Sequence, residues 1–309
     1  MLRKYKLIFF FILVFFYTNQ SFSELLIKYK VNGEIITNID IQNEKSYLLF
    51  LRPNLKKLSD DEISKLSANS LIREIIKKKE LNKIIENIET SKFVEEVKLN
   101  LFAFAKVKNE QEFKKILKKN NIEYDILIEK LKYEGLWNEF IYKKFNSLVK
   151  INENNLKKKL ISNISNNKKF EYNLSEILFE LDQNENINSK YNKIIKDSKI
   201  NEFKNVATKY SISDSAYNGG EIGWIKETLL SEKLSDILRN IGIGQVTRPI
   251  KYPNGFLILK VNDKREMKKK LNINDELREA IKFEKNRQLN QFSLLFYKKL
   301  KKNSSIDEF

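Results

Sequence analysis

Two residue types with distinctive chemistry, cysteine and histidine, are absent from this chain of 309 residues. Without cysteine no disulfide can form, so a hydrophobic core must stabilise the fold, and the chain is long enough for two domains. Without histidine, the Ser-His-Asp triad and zinc sites built on Cys and His are excluded. The sequence predicts neither a metal nor another cofactor.

Glycine is scarce and unevenly placed, with eight in the chain and six of them between residues 219 and 255. Three lie in the stretch "NGGEIGW" (218–224). Such clustering indicates a backbone conformation that glycine adopts more easily than other residues. We expect positive φ at Gly219 and Gly220 ahead of a strand, and a close approach of neighbouring backbone at Gly223.

The first 23 residues have the pattern of a cleavable signal peptide. A basic start precedes the apolar run "LIFFFILVFFY" (7–17), and small residues follow in "SFS" (21–23). An uncleaved membrane anchor is the alternative, but a span needs about 20 apolar residues. We therefore expect export and a mature chain that begins at Glu24.

Positive charge is concentrated outside one segment of the chain, whose formal net charge is +17. Residues 171–263 carry 12 Lys and Arg against 13 Asp and Glu, whereas the rest of the chain after the leader carries 43 against 28. Nucleic acid is a poor partner for an exported protein. The basic part therefore favours acidic unfolded chains, or a weak attraction to an anionic membrane surface.

The N-terminal part predicts a short hairpin followed by helices. Asn32-Gly33 is a strong hairpin turn signal within residues 24–37, and Thr37 with Asp40 forms a capping box for a helix that stops before Pro53. Apolar residues then recur at helical spacing to about residue 160. The polar stretch 161–173 predicts a linker.

The sequence pattern of the segment 171–263 differs from that of the N-terminal part. It predicts a strand at 174–181, two helical pieces within 187–211, a helix around Ser231–Asn240 and a strand at 255–261. A basic amphipathic helix follows, and its apolar face should pack back on the N-terminal part. We predict an α+β protein with a signal peptide (1–23), a helical domain (24–165), a sheet domain (171–263) and a C-terminal helix (264–309).

Four motifs in the middle segment resemble the parvulin family of peptidyl-prolyl isomerases. They are "EILF" (176–179), "FKNVATKYS" (203–211), "GGEIGW" (219–224) and "IGIGQVTRPIKYPNGFLILKV" (241–261), and they occur in the family's order and spacing. The resemblance implies a small antiparallel sheet flanked by helices and a rotamase-type activity.

The flanking segments are similar to the SurA-type periplasmic chaperones of outer-membrane proteins. The similarity rests on "VNGEIITNIDI" (31–41), on "YEGLWNEF" (133–140) and on the order of helices, parvulin segment and C-terminal helix. SurA-type chains usually have two parvulin domains, whereas one is recognised here. The resemblance implies a periplasmic location and unfolded exported or outer-membrane polypeptides as partners, and a helical N-terminal domain completed by the C-terminal helix.

Parvulins hold the proline ring in an apolar slot above polar groups that favour the twisted amide, a case of differential binding of the transition state. The slot positions of the family fall on Ile222, Leu230 and Leu234. These side chains are all apolar, so the resemblance implies that a binding surface is retained; a purely structural role in the core is the alternative.

The polar positions of the family are substituted. Its two histidines correspond to Glu176 and Leu257, and its Cys or Asp position falls on Ser213 or Asp214. We therefore expect isomerase activity that is weak or absent and favour a chaperone that holds unfolded chains. An active isomerase that uses Glu176 and Asp214, and a membrane-surface scaffold, are the alternatives.

Overall fold

The structure is a computed structural model that describes residues 24–83, 91–164, 169–267 and 272–309. The expected signal peptide (1–23) lies outside the described residues. In these ranges no helix is both long enough and apolar enough to span a membrane.

The N-terminal half forms a helical lobe, residues 24–83 and 91–164. Its helices are α1 (Asn38–Leu51), α2 (Asp60–Leu81), α3 (Ser91–Ala105), α4 (Glu110–Lys119), α5 (Tyr124–Phe145) and α6 (Glu153–Ile164). A short 3-10 helix (Pro53–Lys57) joins α1 to the start of α2. Gly135 in α5 leaves room for Phe93 of α3 to pack against the helix. An added Cβ at Gly135 would come within 2.4 Å of the Phe93 ring.

The local signals at the N-terminus have the predicted structural effects. Strands β1 (Ile27–Val31) and β2 (Glu34–Thr37) join through Asn32 and Gly33, whose φ values are 53° and 97°. The side chains of Thr37 and Asp40 form the capping box of α1.

A sheet lobe, residues 170–266, follows the helical lobe. Its elements are β3 (Phe170–Phe179), α7 (Ile187–Ile200), α8 (Phe203–Tyr210), β4 (Glu221–Lys226), α9 (Glu232–Arg239), β5 (Ile250–Tyr252) and β6 (Gly255–Glu266). The strands are antiparallel in the order β4-β3-β6-β5.

Several boundaries differ from the sequence-based expectation. Strand β3 begins at Phe170 rather than 174, and β6 continues to Glu266, because the two strands pair over their whole length from Phe170↔Glu266 to Phe179↔Phe256. The predicted linker 161–173 therefore contains the end of α6 and the start of β3. Tyr252 pairs with Gly255, so Pro253 and Asn254 form the hairpin turn between β5 and β6.

The chain after residue 264 is not helical throughout. Helix α10 (Ile273–Lys302) is followed by β7 (Ile306–Glu308), which pairs with β1 and completes a three-stranded sheet in the order β2-β1-β7. No local signal indicated β7, because its partner strand lies near the other end of the chain.

The two faces of the four-stranded sheet are covered by different elements. The first face packs on the lobe's own helices through Ile177, Phe179, Tyr191, Ile194, Phe203, Val206, Ala207 and Ile258. The second face contributes Tyr172, Leu174, Leu178, Leu257, Leu259 and Val261, together with Leu238 of α9 and Leu294 of α10. Helix α10 therefore completes the core of the sheet lobe from outside it.

Helix α10 also packs on the helical lobe. Phe292 stacks on Phe145 with ring centroids 5.3 Å apart, and the indole N–H of Trp137 donates to Ser293 Oγ at 3.0 Å. The molecule is thus an α+β protein in which a mostly helical lobe is completed by the C-terminal helix and a small antiparallel sheet is flanked by helices, as predicted.

Candidate functional site

The glycine turn positions the first strand of the site. Gly219 and Gly220 have φ values of 65° and 77°, as expected. An added Cβ at Gly220 would come within 2.3 Å of the Glu176 carbonyl oxygen, and the Glu176 N–H donates to the Gly220 carbonyl at 2.8 Å. The expectation for Gly223 was wrong: nothing lies within 4 Å of an added Cβ there, so its φ of 77° is what favours glycine.

Glu176 and two serines form the polar floor of the site. Ser213 Oγ donates to Glu176 Oε1 at 2.6 Å, and Ser215 Oγ donates to the same oxygen at 2.8 Å. The two serine oxygens are 3.2 Å apart. Sequence reasoning missed Ser215, although it follows Ser213 by two residues in the loop that the family places beside the first strand.

Asp214 points to the helical lobe instead. Its Oδ1 is 3.2 Å from Nη1 of Arg73 in α2, and the Arg73 guanidinium lies 4.8 Å from the ring centroid of Tyr297 in α10. Of the two candidates for the variable family position, Ser213 therefore contacts Glu176, whereas Asp214 links three elements of the fold. Nothing local in the sequence connects Arg73 to a residue 141 positions away.

The apolar side of the site is part of the second face. Leu257 is 5% exposed and belongs to the cluster that contains Leu294 of α10. Leu230 and Leu234 are half-buried against the same cluster. Ile222 is outside that cluster, with 36% of its surface exposed. The structure brings Leu230, Leu234 and Leu257 together and leaves Ile222 at the rim.

The chemistry available at the floor is that of a carboxylate whose neighbours are hydroxyls. Serine hydroxyls donate as well as accept hydrogen bonds, and both lie within hydrogen-bond distance of Glu176 Oε1. The floor can accept a hydrogen bond from a peptide N–H, but Leu257 offers no polar group at the second family position. Within the described residues no group of three or more acidic side chains is placed to hold a metal ion.

Charged side chains face one another where the two lobes meet. Burial lowers the pKa of the Lys77 ammonium, although the Asp214 and Glu134 carboxylates nearby act in the opposite direction. Burial raises the pKa of Glu134, although its side chain keeps an exposed surface. We call this region between the lobes, bordered by Lys77, Glu134 and Asp214, the cleft. The Lys77 ammonium also lies 4.8 Å from the Trp137 ring centroid.

Next to this cleft, a set of hydrogen bonds and ion pairs that we call the polar seam joins the lobes. Asn54 and Asn205 exchange two hydrogen bonds, of 2.6 and 3.2 Å, and Arg52 donates to the Ala216 carbonyl. Two ion pairs extend the seam, Lys209–Glu62 and Lys57–Glu202, both at 2.6 Å. The turn that carries the polar floor is thereby fixed against the helical lobe.

Comparison with known proteins agrees with this arrangement. Residues 173–263 match the family model of the rotamase, PPIC-type PPIASE domain. The chain is 26% identical over 165 residues to the chaperone SurA of Pseudomonas putida, which covers 50% of this chain and 38% of that protein. It therefore spans well under two-thirds of the length of the SurA relatives that it matches.

Two further similarities extend the comparison. The chain is 38% identical over 84 residues to the foldase protein PrsA of a Geobacillus species, covering 27% of this chain and 29% of that one. Among solved structures, a SurA-like chaperone of Campylobacter jejuni aligns over 92% of this chain and 99% of its own, with a TM-score of 0.36 and 15% identity. Residues 173–263 thus match the PPIC-type parvulin domain, and the chain that carries them is similar over about half of its length to SurA chaperones.

Proposed function

We propose that this protein is an exported chaperone that binds unfolded outer-membrane polypeptides and isomerises proline weakly or not at all. The observation that carries the proposal is the polar floor. Glu176 occupies one family histidine position and is held by Ser213 and Ser215, while Leu257 occupies the other. A floor of one carboxyl group and two hydroxyls, without imidazole, is poorly suited to stabilise a twisted prolyl amide differentially.

The apolar side of the site also argues against efficient turnover. Leu230, Leu234 and Leu257 share one packed cluster with Leu294 of α10. A proline ring that enters between these side chains would compete with the molecule's own helix. Substrate binding would therefore cost part of the energy that packs α10 on the sheet, which lowers both affinity and turnover.

The cleft between the lobes supports a client-binding role. Arg73, Lys77, Glu134 and Asp214 provide charges of both signs, whereas Trp137 beside them is buried in the core. Strands of outer-membrane barrels alternate apolar and polar side chains, so an extended client segment could place its polar side chains on these charges.

Aggregation of an unfolded porin, followed by light scattering, tests the proposal. We expect the full chain to suppress aggregation at equimolar concentration and the Lys77→Glu variant to suppress it less. Lys79→Glu, which changes an exposed lysine on the same helix, is the matched control and should behave as wild type. Scattering that the wild-type chain leaves unchanged would refute chaperone function.

Export is tested separately. The leader 1–23 predicts cleavage before Glu24, so the mature protein from a periplasmic fraction should begin at that residue by mass spectrometry. A protein that retains the leader in the membrane fraction would support the anchored alternative.

A second candidate, an active isomerase, is favoured by one observation: the carboxylate of Glu176 and two hydroxyls still line the floor. A protease-coupled assay on a proline peptide distinguishes the two candidates. Turnover at ordinary parvulin rates that Glu176→Ala abolishes and Asp214→Ala spares would assign catalysis to the floor and overturn the first proposal's view of catalysis.

A further inference from the structure

A largely apolar groove lies on one side of α9 and adjoins the slot described above, because Ile237, Ile241 and Ile250 pack in the same cluster as Leu230 and Leu234. It has a volume of about 470 Å³ and lies between α9 and the segment that leads into β5. Its apolar lining comes from Ile237, Ile241, Val246, Pro249 and Ile250. Leu234 and Leu238, which face the second side of the sheet, belong to the neighbouring face of the same helix. A volume of this size accommodates one or two bulky side chains.

Three cations border this groove: Lys233, Arg248 and Lys251. All three side chains are exposed, and no carboxylate pairs with any of them in the part of the chain that the structure describes. Arg239 on the same helix is a contrast, since it pairs with Glu227 and Asp236. Arg248 lies over the Tyr191 ring at 5.6 Å. The parvulin segment as a whole carries a net charge of −1. Three cations around one groove are therefore a local concentration of positive charge.

We propose that this groove binds an acidic segment of an unfolded polypeptide, with a bulky apolar side chain on the floor and flanking carboxylates on Lys233, Arg248 and Lys251. Charge complementarity selects this occupant, because a basic segment would meet three like charges at the rim. The inference deepens the proposed chaperone function and rests on it for the nature of the ligand, an unfolded chain. It assigns a second contact point to the client, outside the cleft.

Binding of defined peptides to the full chain tests the groove. The probes are a fluorescent peptide with Phe and Leu between Asp residues, and its counterpart with Lys in place of Asp. We expect the acidic peptide to bind about tenfold more tightly. Raising the salt concentration from about 50 to about 300 mM should weaken it, because exposed ion pairs are screened.

The double variant Lys233→Glu with Lys251→Glu should lose about tenfold in affinity for the acidic peptide. The matched control reverses two exposed lysines of α6, Lys157→Glu with Lys158→Glu, and changes the net charge equally. It should keep the affinity within about a factor of two. A photoreactive version of the peptide should cross-link to residues 233–251.

Three results would overturn the proposal: equal affinity for both peptides, an equal loss in the control, or cross-links that map outside 233–251. Porin aggregation measured on the same variants keeps this test apart from that of chaperone function. If no variant or wild type suppresses aggregation while the acidic peptide still cross-links to the groove, the chaperone proposal fails and the groove stands.

Discussion

The sheet lobe is held by two contacts of opposite character. Helix α10 contacts the second face of the sheet through an apolar cluster that buries Leu294, whereas the polar seam joins the turn beside Glu176 to the helical lobe through hydrogen bonds and ion pairs. Apolar burial is not weakened by charge screening or by titration of side chains. Exposed ion pairs, in contrast, are weakened by added salt and by acid. Lys226 also pairs with Glu276 and Glu279 of α10, so part of the first contact is ionic. Its apolar cluster should nevertheless persist under conditions that open the second contact.

This difference bears on the site, which lies between the two contacts. The polar floor is attached to the seam side through the turn that carries Ser213 and Asp214. The apolar slot residues are attached to the α10 side through the cluster of Leu257 and Leu294. Opening the seam would widen the cleft without exposing the slot. Displacing α10 would expose the slot and also remove part of the core.

Disrupting the α10 contact should have the largest effect. Leu294→Asp places a charge in a buried cluster and should lower the free energy of unfolding by about 3 kcal/mol. The neighbouring residue provides the control, because Leu295 is 51% exposed, and Leu295→Asp should change stability by less than about 0.5 kcal/mol. Urea unfolding followed by tryptophan fluorescence measures both. Equal effects of the two substitutions would contradict the assignment of Leu294 to the core.

The glycine turn offers the next largest effect, because it joins the seam to the sheet. Gly220→Ala should cost more than about 2 kcal/mol, since the new Cβ meets the Glu176 carbonyl as well as an unfavourable φ. Gly223→Ala has the same φ but open space, so it should cost about 1 kcal/mol. Thermal unfolding of the two variants measures how much of the loss in stability comes from crowding of the new Cβ and how much from the unfavourable φ. A Gly223→Ala variant as unstable as Gly220→Ala would argue against close packing at the turn.

Features with a local cause were predictable from the sequence. The hairpin at Asn32-Gly33, the capping box of Thr37 and the ordered parvulin motifs depend on residues close together in the chain. The pairing of β7 with β1, the contact of Arg73 with Asp214 and the insertion of Leu294 into the sheet core join residues far apart in the chain. An apolar stripe on α10 indicates that this helix is buried but does not specify which lobe receives each side chain.

The polar floor illustrates the same limit at the level of single residues. The motif placed Ser213 and Asp214 near Glu176 but could not rank them, because the loop between the family blocks varies in length. The geometry separates them by partner: Ser213 donates to Glu176, and Asp214 accepts from Arg73. A glycine can be needed because of positive φ or because of close packing, and the sequence does not distinguish the two reasons. For this reason the role of Gly223 was predicted wrongly.

A smaller effect is expected in the cleft. Lys77→Met removes an ammonium whose pKa is lowered by burial while keeping a side chain that packs on Trp137, so it should raise the free energy of unfolding by about 1 kcal/mol. If the cleft binds clients, the same variant should suppress porin aggregation less well. Lys79→Met on the exposed side of α2 is the control for both measurements. A variant that is neither more stable nor weaker in aggregation assays would argue against a functional cleft.

The smallest effect concerns the polar seam in acid. Hydrogen bonding to Lys209 lowers the pKa of Glu62 from its ordinary value of 4.5. A lowered folded-state pKa means that the ion pair's contribution is complete above pH 4.5 and is lost as the pH falls through the lowered value. Because both side chains are partly exposed, Lys209→Gln should cost only about 0.5 kcal/mol at pH 7. Urea titrations should find that the difference between wild type and variant shrinks as the pH falls through the lowered pKa of Glu62 and then that of Asp197, which also pairs with Lys209. Lys65→Gln is the control, since Lys65 pairs with Asp61 within α2 rather than across the lobes.

If Lys209→Gln alone also makes the lobes separable by limited proteolysis at pH 7, the seam is the weaker of the two contacts. If separation requires Leu294→Asp as well, either contact suffices to hold the lobes when the other is lost.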